Sequence, residues 1–520
     1  MVLNVLDVLL DGSSLSLEAL DAIARGSAVV GLTDASRARV RAARALVDRH
    51  AAGDVAVYGI NTGFGSLAEV KIPQDQLAQL QLNLIRSHAA GVGEPLPVPA
   101  VRALMALRAN VLAKGFSGIR EHTLDALIAM LNARVHPRVP SRGSVGASGD
   151  LAPLAHLALV IVGEGQILDD DESAKGIGSQ GKSSSVAGVL KARGLAPVTL
   201  QAKEGLALIN GTQASAAVLA LAVLDAARLA RAADVAAALS IDALRGSAHP
   251  FEARIHAARP VPGQAASAQN LAALLAASGI NASHENCGKV QDAYCLRCAP
   301  QVHGSAREAI GFARRLAEIE ANSATDNPMV FADDGDIVSG GNFHGAPVAL
   351  AADTLAIGLA QLATISERRT DRLMTATESG LPPFLIRNSG LNSGLMMAHV
   401  TAAALTSEIK GLAHPAAIDT IPTSAGREDH VSMSMGAALK AARIVTLARL
   451  VISIEILAAA QAIDLLAPLP TSPALAAVHA HVRTRVPHLD IDRPPSPDID
   501  AISALVDEGA FERACPIALV

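Results

Sequence analysis

Aromatic side chains are scarce in this 520-residue sequence: tryptophan is absent, and Phe, Tyr and Trp together account for 2 % of the residues. Hydrophobic residues nevertheless make up 50 % of the chain, so the interior must be built from Ala, Leu, Ile and Val. That composition favours close-packed helices over a β-sandwich or barrel. Cysteine is also rare, with four residues in all. This number is too small for a disulfide scaffold in so long a chain, and we expect reduced thiols.

Long runs of one charge are missing as well. Lys and Arg number 43 against 49 Asp and Glu, for a net charge of -6. No basic run could follow a phosphate backbone, so we expect no nucleic-acid partner. The N-terminal segment carries Asp7 and Asp11 and lacks the positive lead and cleavage site of a signal peptide. We therefore expect a cytoplasmic protein.

A membrane span needs ~20 nearly uncharged apolar residues. The two longest apolar runs, 216–239 and 447–466, are interrupted by charged residues such as Asp225 and Glu455. We expect both runs to be buried helices of a bundle, and no membrane partner.

Helical patterns dominate the chain. In four N-terminal segments, apolar residues recur at three- and four-residue intervals. These predicted helices are 33–52, 74–89, 98–113 and 121–134. Helices continue from Leu200 onward, whereas the polar Gly/Ser-rich segment 166–190 predicts a loop. We expect an N-terminal lobe, residues 1–215, and a long helical body, residues 216–520.

The two tyrosines of the chain lie in polar, motif-like surroundings. Tyr58 begins YGINTGFG, a loop with three glycines in eight residues, and Tyr294 lies in QDAYCLRC. A tyrosine kept for packing usually lies on an apolar periodic face. The contexts therefore favour a chemical role, with ordinary hydrogen-bonded tyrosines as the alternative.

A second glycine-rich loop, GSVGASGDLAPLAH, begins at Gly143. No strand precedes it as in a dinucleotide fingerprint, and it lacks the lysine of a phosphate loop. It also differs from the G-x-S-x-G elbow of serine hydrolases, because Asp150 stands where the last glycine is needed.

This loop resembles the signature of the ammonia-lyases and aminomutases that use a methylidene-imidazolone (MIO) group. The resemblance implies that Ala147, Ser148 and Gly149 cyclise and lose water, with no external cofactor and no metal. The residue types suit this chemistry, because glycine leaves its nitrogen unhindered and alanine crowds the ring little. Serine supplies a hydroxyl that can be eliminated. The product is an electrophile that makes the nitrogen of a bound amino acid a better leaving group.

The resemblance continues along the chain and implies roles for further residues. Tyr58 matches the tyrosine that removes the β-proton of the substrate. His88, in SHAAGVGEPL, matches a contact to the substrate ring. Asn210, in EGLALINGTQ, matches the asparagine that binds the substrate carboxylate and supports the cofactor.

A second group of matches lies in the helical body. In KVQDAYCLRCAPQVHG, Gln291, Tyr294 and Arg297 match a cluster in which the arginine pairs with the substrate carboxylate and the tyrosine polarises the cofactor or its amine. Phe343, in SGGNFHG, matches a ring beside the cofactor. Glu428, in PTSAGREDHVSM, matches a carboxylate that faces the substrate side chain.

The resemblance also implies a fold and an assembly. We expect the all-α architecture of the aspartase and fumarase superfamily, a long central helical bundle with a smaller cofactor-bearing N-terminal lobe. We further expect a homotetramer whose active sites draw on three subunits.

The expected substrate is a small-molecule amino acid. His88 and Glu428 could both hydrogen-bond an imidazole, which favours L-histidine and its conversion to trans-urocanate and ammonia. Gly426, Arg427 and Ile409 differ from the usual residues of the histidine-specific branch, so tyrosine or phenylalanine lyases and aminomutases stay as alternatives.

Two interpretations of other classes are also open. Taken alone, Arg297 could form a structural ion pair, His88 could end a helix and Glu428 could cap one. A non-catalytic helical assembly protein would then explain the loops. The other alternative is a zinc site with the spacing H-x2-C-x7-C-x2-C. Its four ligands would be His284, Cys287, Cys295 and Cys298.

Overall fold

The computed structural model describes residues 6–64, 69–168, 185–284, 288 and 290–520. The chain forms two compact units, each assembled from three segments. The first unit comprises Met1–Leu221, Arg315–Ala352 and Pro415–Leu439. The second comprises Ala222–Arg314, Asp353–His414 and Lys440–Val520. The sequence-based boundary between residues 215 and 216 stays a prediction.

Four long helices account for much of the structure. They are α9 (Gln213–Ala243), α14 (Ala299–Ala321), α15 (Ala346–Met374) and α18 (Ser434–Leu465). The shorter helices of the first unit are α1 (Leu17–Ala24), α2 (Asp34–Ala52), α3 (Leu77–His88), α4 (Val98–Ala113), α5 (Glu121–Asn132), α6 (Leu151–Ile161), α7 (Val186–Ala192) and α8 (Glu204–Ile209). Those of the second unit are α10 (Ala253–Ala257), α11 (Pro262–Leu275), α12 (Gly279–Ala282), α13 (Tyr294–Arg297), α16 (Ala376–Ser379), α17 (Met396–Leu412), α19 (Pro473–Arg483), α20 (Ser496–Asp507) and α21 (Ala510–Ala514). The predicted helical fold is confirmed.

Strands are few and short in the described part of the chain. Strands β1 (Leu6–Leu10) and β2 (Ala28–Leu32) pair in parallel around α1. Strand β3 (Val92–Pro95) pairs antiparallel with β4 (Pro140–Arg142). Strand β5 (Met329–Phe331) pairs antiparallel with β6 (Asp336–Val338). These three small sheets are additions that the helical prediction did not contain.

The predicted N-terminal helices form for local reasons that the sequence displays. Thr33 caps α2, because its hydroxyl accepts a hydrogen bond from the amide of Ser36 at 3.2 Å. Pro99 lies in the first turn of α4, where its missing N–H costs nothing. Buried residues such as Val40, Ala43 and Val47 recur along one face of α2.

Charged side chains are buried in the second unit. The Arg369 guanidinium and the Glu455 carboxylate, both with side chains 0 % exposed, pair at 2.5 Å. The same carboxylate accepts hydrogen bonds from Ser240 at 2.7 Å and from Ser366 at 2.6 Å. Each oxygen therefore has two donors, one hydroxyl and one guanidinium nitrogen, and a buried charge requires such partners.

A second buried carboxylate, Asp234, lies on α9. It accepts hydrogen bonds from His303 at 2.7 Å and from Arg307 at 2.6 Å. Burial opposes ionisation of this group, but the histidine and arginine outweigh burial and lower the pKa of Asp234 to about 2. The charge is therefore retained in the core at neutral pH.

Two helices of the described residues, α15 and α18, are long and apolar enough to cross a membrane. Their most apolar windows are 67 % and 83 % buried, respectively. Core helices of proteins outside membranes have the same length and composition, so these two features are a weak indication of a span.

We predict that Glu455→Gln lowers the free energy of unfolding by about 3–5 kcal/mol, because it leaves the buried Arg369 charge without its partner. The matched control is Glu408→Gln, which removes a carboxylate from an exposed pair with Arg443, with side chains 45 % and 58 % exposed. That change should cost less than about 1 kcal/mol. Urea denaturation of both variants measures the difference, and equal losses would contradict a structural role for the buried pair.

Candidate active site

A cavity of about 940 Å³ lies in the first unit, and all of its lining residues belong to that unit. Eight of the residues that the sequence singles out line it together, although they are far apart in the chain. They are Tyr58, His88, Ala147, Ser148, Gly149, Asn210, Phe343 and Glu428. The fold therefore brings most of the predicted site residues to one place.

The loop that precedes α6 is shaped by glycines and by one aspartate. Gly146 and Gly149 have φ values of 72° and 74°, which side chains with a Cβ rarely adopt. Asp150 is fully buried, and its carboxylate accepts hydrogen bonds from the Ser144 hydroxyl at 3.0 Å and from the Ser215 amide at 2.7 Å. Burial raises the pKa of Asp150 even though these donors favour its charged form.

The backbone of this loop lies directly against the segment between α8 and α9. The amide of Asp150 donates to the carbonyl of Gly211 at 2.7 Å. A Cβ atom at Gly149 would lie 2.3 Å from that carbonyl oxygen. Only glycine allows this contact at position 149.

Ser148 is held at both ends. Its carbonyl oxygen accepts a hydrogen bond from the side-chain amide nitrogen (Nδ2) of Asn210 at 3.1 Å. Its hydroxyl donates to a carboxylate oxygen of Glu428 at 3.0 Å. The Asn210 side-chain oxygen is buried and has no hydrogen-bond partner among the described residues.

Glu428 is supported by a tight turn. The Thr423 and Ser424 hydroxyls donate to its second oxygen at 2.6 and 2.7 Å. Burial opposes the charge of Glu428, but the hydroxyls of Thr423, Ser424 and Ser148 lower the pKa below its usual value, and His88 adds to the effect. The carboxylate is therefore ionised at neutral pH and loses its charge only as the pH falls through that lowered value.

His88 ends α3 with a defined ring orientation. Its Nδ1 lies 2.8 Å from the carbonyl oxygen of Leu84. A carbonyl only accepts, so Nδ1 carries a proton. When the ring is neutral, Nε2 is therefore an acceptor.

Tyr58 lies in a loop that Asn61 organises. The Asn61 side chain accepts from the amide of Val57 at 2.7 Å and donates to the carbonyl of Val55 at 2.9 Å. The Tyr58 ring contacts Phe64 edge to face, with centroids 6.4 Å apart. The half-buried phenol is thus placed at the cavity by a structured turn.

The other three predicted residues lie in the second unit and form their own cluster. The Arg297 guanidinium lies 4.7 Å from the centroid of the Tyr294 ring, a cation–π contact. Its Nε donates to the carbonyl of Asp292 at 2.9 Å. The Tyr294 residue is 71 % exposed, and Gln291 and Arg297 line a cavity of about 630 Å³ in this unit.

Sequence reasoning missed several contributors. Thr423 and Ser424 support Glu428, and Asp150 fixes the loop. Arg427, which the sequence already places beside Glu428, lines the same cavity. Ser424 carries a local signal, since a hydroxyl residue before Ala-Gly favours a turn. The contact of Asp150 with Ser215 joins residues 65 positions apart and has no local signal.

The zinc alternative and the polar segment fall partly outside the described residues, which omit Cys287 and residues 169–184. Cys295 is buried and Cys298 is half-buried, and both are free thiols. Within the described ranges, no three His, Cys, Asp or Glu side chains are grouped to hold a metal ion.

Comparisons with known proteins give one consistent result. The family model described as aromatic amino acid lyase matches residues 15–484. A histidine ammonia-lyase from Anaeromyxobacter sp. (strain K) is 58 % identical over 509 residues, which is 97 % of this chain and 99 % of that protein. The crystal structure of histidine ammonia-lyase from Trypanosoma cruzi superposes with a TM-score of 0.89 at 46 % identity, covering 98 % of this chain and 95 % of that one. Tyrosine aminomutase from Streptomyces globisporus superposes with a TM-score of 0.91 at 36 % identity, covering 99 % and 100 %.

The glycine contact makes a testable prediction. Gly149→Ala should destabilise the protein more than Gly194→Ala, because both positions have positive φ but only the first would place a Cβ against backbone. Gly194 has φ 73° and open space around it. Gly194→Ala should therefore lower the free energy of unfolding by about 1–2 kcal/mol, through backbone strain alone. Thermal unfolding compares the two variants, and equal shifts would contradict the contact.

Proposed function

Because the chain belongs to the aromatic amino acid lyase family, we propose that it eliminates ammonia from L-histidine and releases trans-urocanate. The observation that carries the proposal is the placement of Ser148 between Asn210 and Glu428 in one cavity. The histidine ammonia-lyases named among its relatives support the choice of substrate.

The loop residues fit the proposed MIO group. Ring closure brings the nitrogen of Gly149 to the carbonyl carbon of Ala147, and the absence of a Cβ at Gly149 leaves that approach open. The Asn210 amide donates to the oxygen that the ring would keep, the Ser148 carbonyl. When formed, the group supplies an electrophilic carbon for the substrate amine.

The chain's own residues would perform the remaining tasks. Tyr58 would take the β-proton of the substrate at its phenolic oxygen. The ionised Glu428 accepts a hydrogen bond, and the Nε2 of neutral His88 can accept another, so the two groups suit the two N–H groups of a protonated imidazole. Phe343 lines the same cavity and would exclude water beside the ring.

The carboxylate of the substrate needs a cation. We assign this to Arg297, with Asn210 as a second donor, because a guanidinium can pair with a carboxylate through two hydrogen bonds. Tyr294 would polarise the cofactor or its amine, and Gln291 would complete the substrate contacts.

These three residues would reach the cavity in a homotetramer whose active sites draw on three subunits. Apolar side chains on the described surface support association. Met397 and Val400 lie one turn apart on α17 and are 57 % and 49 % exposed. The free thiols of Cys295, Cys298 and Cys515 suit a reducing cytoplasm, where we propose that the enzyme works.

One observation favours a second candidate substrate, L-tyrosine. Arg427 lines the cavity beside Glu428, and a cation there would suit a phenol better than a protonated imidazole. The same elimination machinery would then act on a different ring.

Ser148→Ala tests the cofactor. Alanine has no hydroxyl to eliminate, so the variant should stay folded, keep the mass of its unmodified sequence and lose the near-ultraviolet absorbance of the ring. Turnover should fall by about a thousandfold or more. Ser185→Ala is the control and should behave as wild type, because Ser185 is the N-cap of α7 and does not line the cavity. Activity of Ser148→Ala within about tenfold of wild type would refute the assignment.

Separate assays with L-histidine, L-tyrosine and L-phenylalanine test the substrate, and we expect the highest kcat/KM for histidine. Glu428→Gln should reduce kcat/KM for histidine by about tenfold or more, because a charged hydrogen bond is lost. Phenylalanine, which has no donor on its ring, should be affected less. Asp429→Asn, one residue away and exposed, controls for local charge. A preference for tyrosine or phenylalanine would overturn the histidine assignment while leaving the elimination in place.

A further inference from the structure

A buried arginine lies behind the cavity wall. Arg108, on α4, is 0 % exposed and is absent from the residues that line the cavity. Its Nη1 donates to the backbone carbonyl of Asn210 at 2.7 Å and to the side-chain oxygen of Gln213 at 2.6 Å. Its Nη2 donates to the carbonyl of Ala207. One guanidinium therefore holds two carbonyls at the end of α8 and the first residue of α9.

The contact has a clear electrostatic basis. The last carbonyls of a helix lack partners within the helix and carry partial negative charge, which a cation stabilises. Burial lowers the pKa of Arg108 to about 10, and Asp326 opposes that effect. The guanidinium therefore keeps its charge at neutral pH.

Asn210, whose carbonyl Arg108 holds, and the next residue, Gly211, make the two contacts on either side of Gly149. The Asn210 side chain donates to the carbonyl of Ser148 at 3.1 Å. The carbonyl of Gly211 accepts from the amide of Asp150 at 2.7 Å. A change at Arg108 would thus move the donor on one side of Gly149 and the acceptor on the other.

We infer that Arg108 is a positioning residue for ring closure at residues 147–149, an inference that rests on the proposed function. In closure, the nitrogen of Gly149 bonds to the carbonyl carbon of Ala147, and that oxygen leaves as water with the amide protons of Gly149 and Ser148. A second water takes the hydroxyl of Ser148 and its α-proton. Arg108 keeps the Asn210 amide on the Ser148 carbonyl, which withdraws electrons and makes that α-proton easier to remove.

The same helix offers a matched control. Arg102 is also on α4, is 4 % exposed, and donates to the carbonyls of Ile23 at 2.8 Å and Leu131 at 3.0 Å. It thus has the same charge, a similar burial and the same kind of acceptor. Its partners are not the backbone of the 147–149 loop or of residues 207–213.

The experiment compares Arg108→Lys with Arg102→Lys. Lysine keeps the charge but cannot hold two carbonyls with a planar fork. Ring closure is measured by intact-protein mass spectrometry at successive times during cell-free synthesis, since a closed chain is lighter by two water molecules. We expect ring closure in Arg108→Lys to be slower than in wild type by about tenfold or more. Its melting temperature should be no lower than that of Arg102→Lys. The control, Arg102→Lys, should close at the wild-type rate.

Closure of folded Arg108→Lys at the wild-type rate would overturn the inference, and so would an equal defect in Arg102→Lys. If Arg108→Lys does not fold, Gln213→Met replaces it. That variant removes one acceptor of the same guanidinium and should slow closure, and closure at the wild-type rate would again refute the role. A wild-type chain that never loses two waters would refute the proposed cofactor itself, which separates the two failures.

Discussion

The candidate site depends on the contact between the backbones of Gly149 and Gly211. A Cβ at Gly149 would lie 2.3 Å from the carbonyl oxygen of Gly211, and one at Gly211 would lie 2.5 Å from the carbonyl oxygen of Thr325. Because Gly149 has no side chain, the loop can lie against the segment that precedes α9, and because Gly211 has none, that segment can lie against Thr325. The amide of Asp150 then reaches Gly211, and the Asn210 amide reaches Ser148. The two glycines thus allow the close contacts that position Asp150 and Asn210 around residues 147–149.

Buried charged residues fix how neighbouring helices align in a core that otherwise consists of similar small aliphatic side chains. Along α4 and α9 most buried side chains are Ala, Leu and Val, and such small aliphatic groups pack almost equally well after a helix shifts. A buried arginine or aspartate is satisfied in one alignment only, because its partners have fixed positions. We interpret Arg108 in the first unit and Asp234 in the second as such groups, since each has at least three hydrogen-bond contacts.

The sequence predicts the helices well and the supporting contacts poorly. Helix α4 begins and ends where the periodicity of 98–113 predicts, because Pro97 and Gly115 bound a continuous apolar pattern. Strands β1 and β2 were missed, since a mostly apolar segment of five residues does not distinguish a strand from a helix. The candidate site residues are implied by a family resemblance, and the motifs that carry it lie mostly in loops, where glycine and polar residues interrupt helical patterns. The role of Arg108 was not found, because its partners lie about a hundred positions away and a periodic pattern carries no information about them.

The position of Glu428 connects the formation of the proposed cofactor with its use. Before closure, one oxygen of this carboxylate accepts from the Ser148 hydroxyl at 3.0 Å, while the other accepts from Thr423 and Ser424. Elimination of that hydroxyl removes the donor from the first oxygen only. The turn at Thr423 still holds the carboxylate in place, so an ionised oxygen is left facing the cavity without its partner. An unsatisfied, half-buried carboxylate oxygen is costly, and an imidazole N–H is a donor that would satisfy it. Under the proposed function, the loss of water that creates the electrophile therefore also creates the vacancy in which the substrate ring binds.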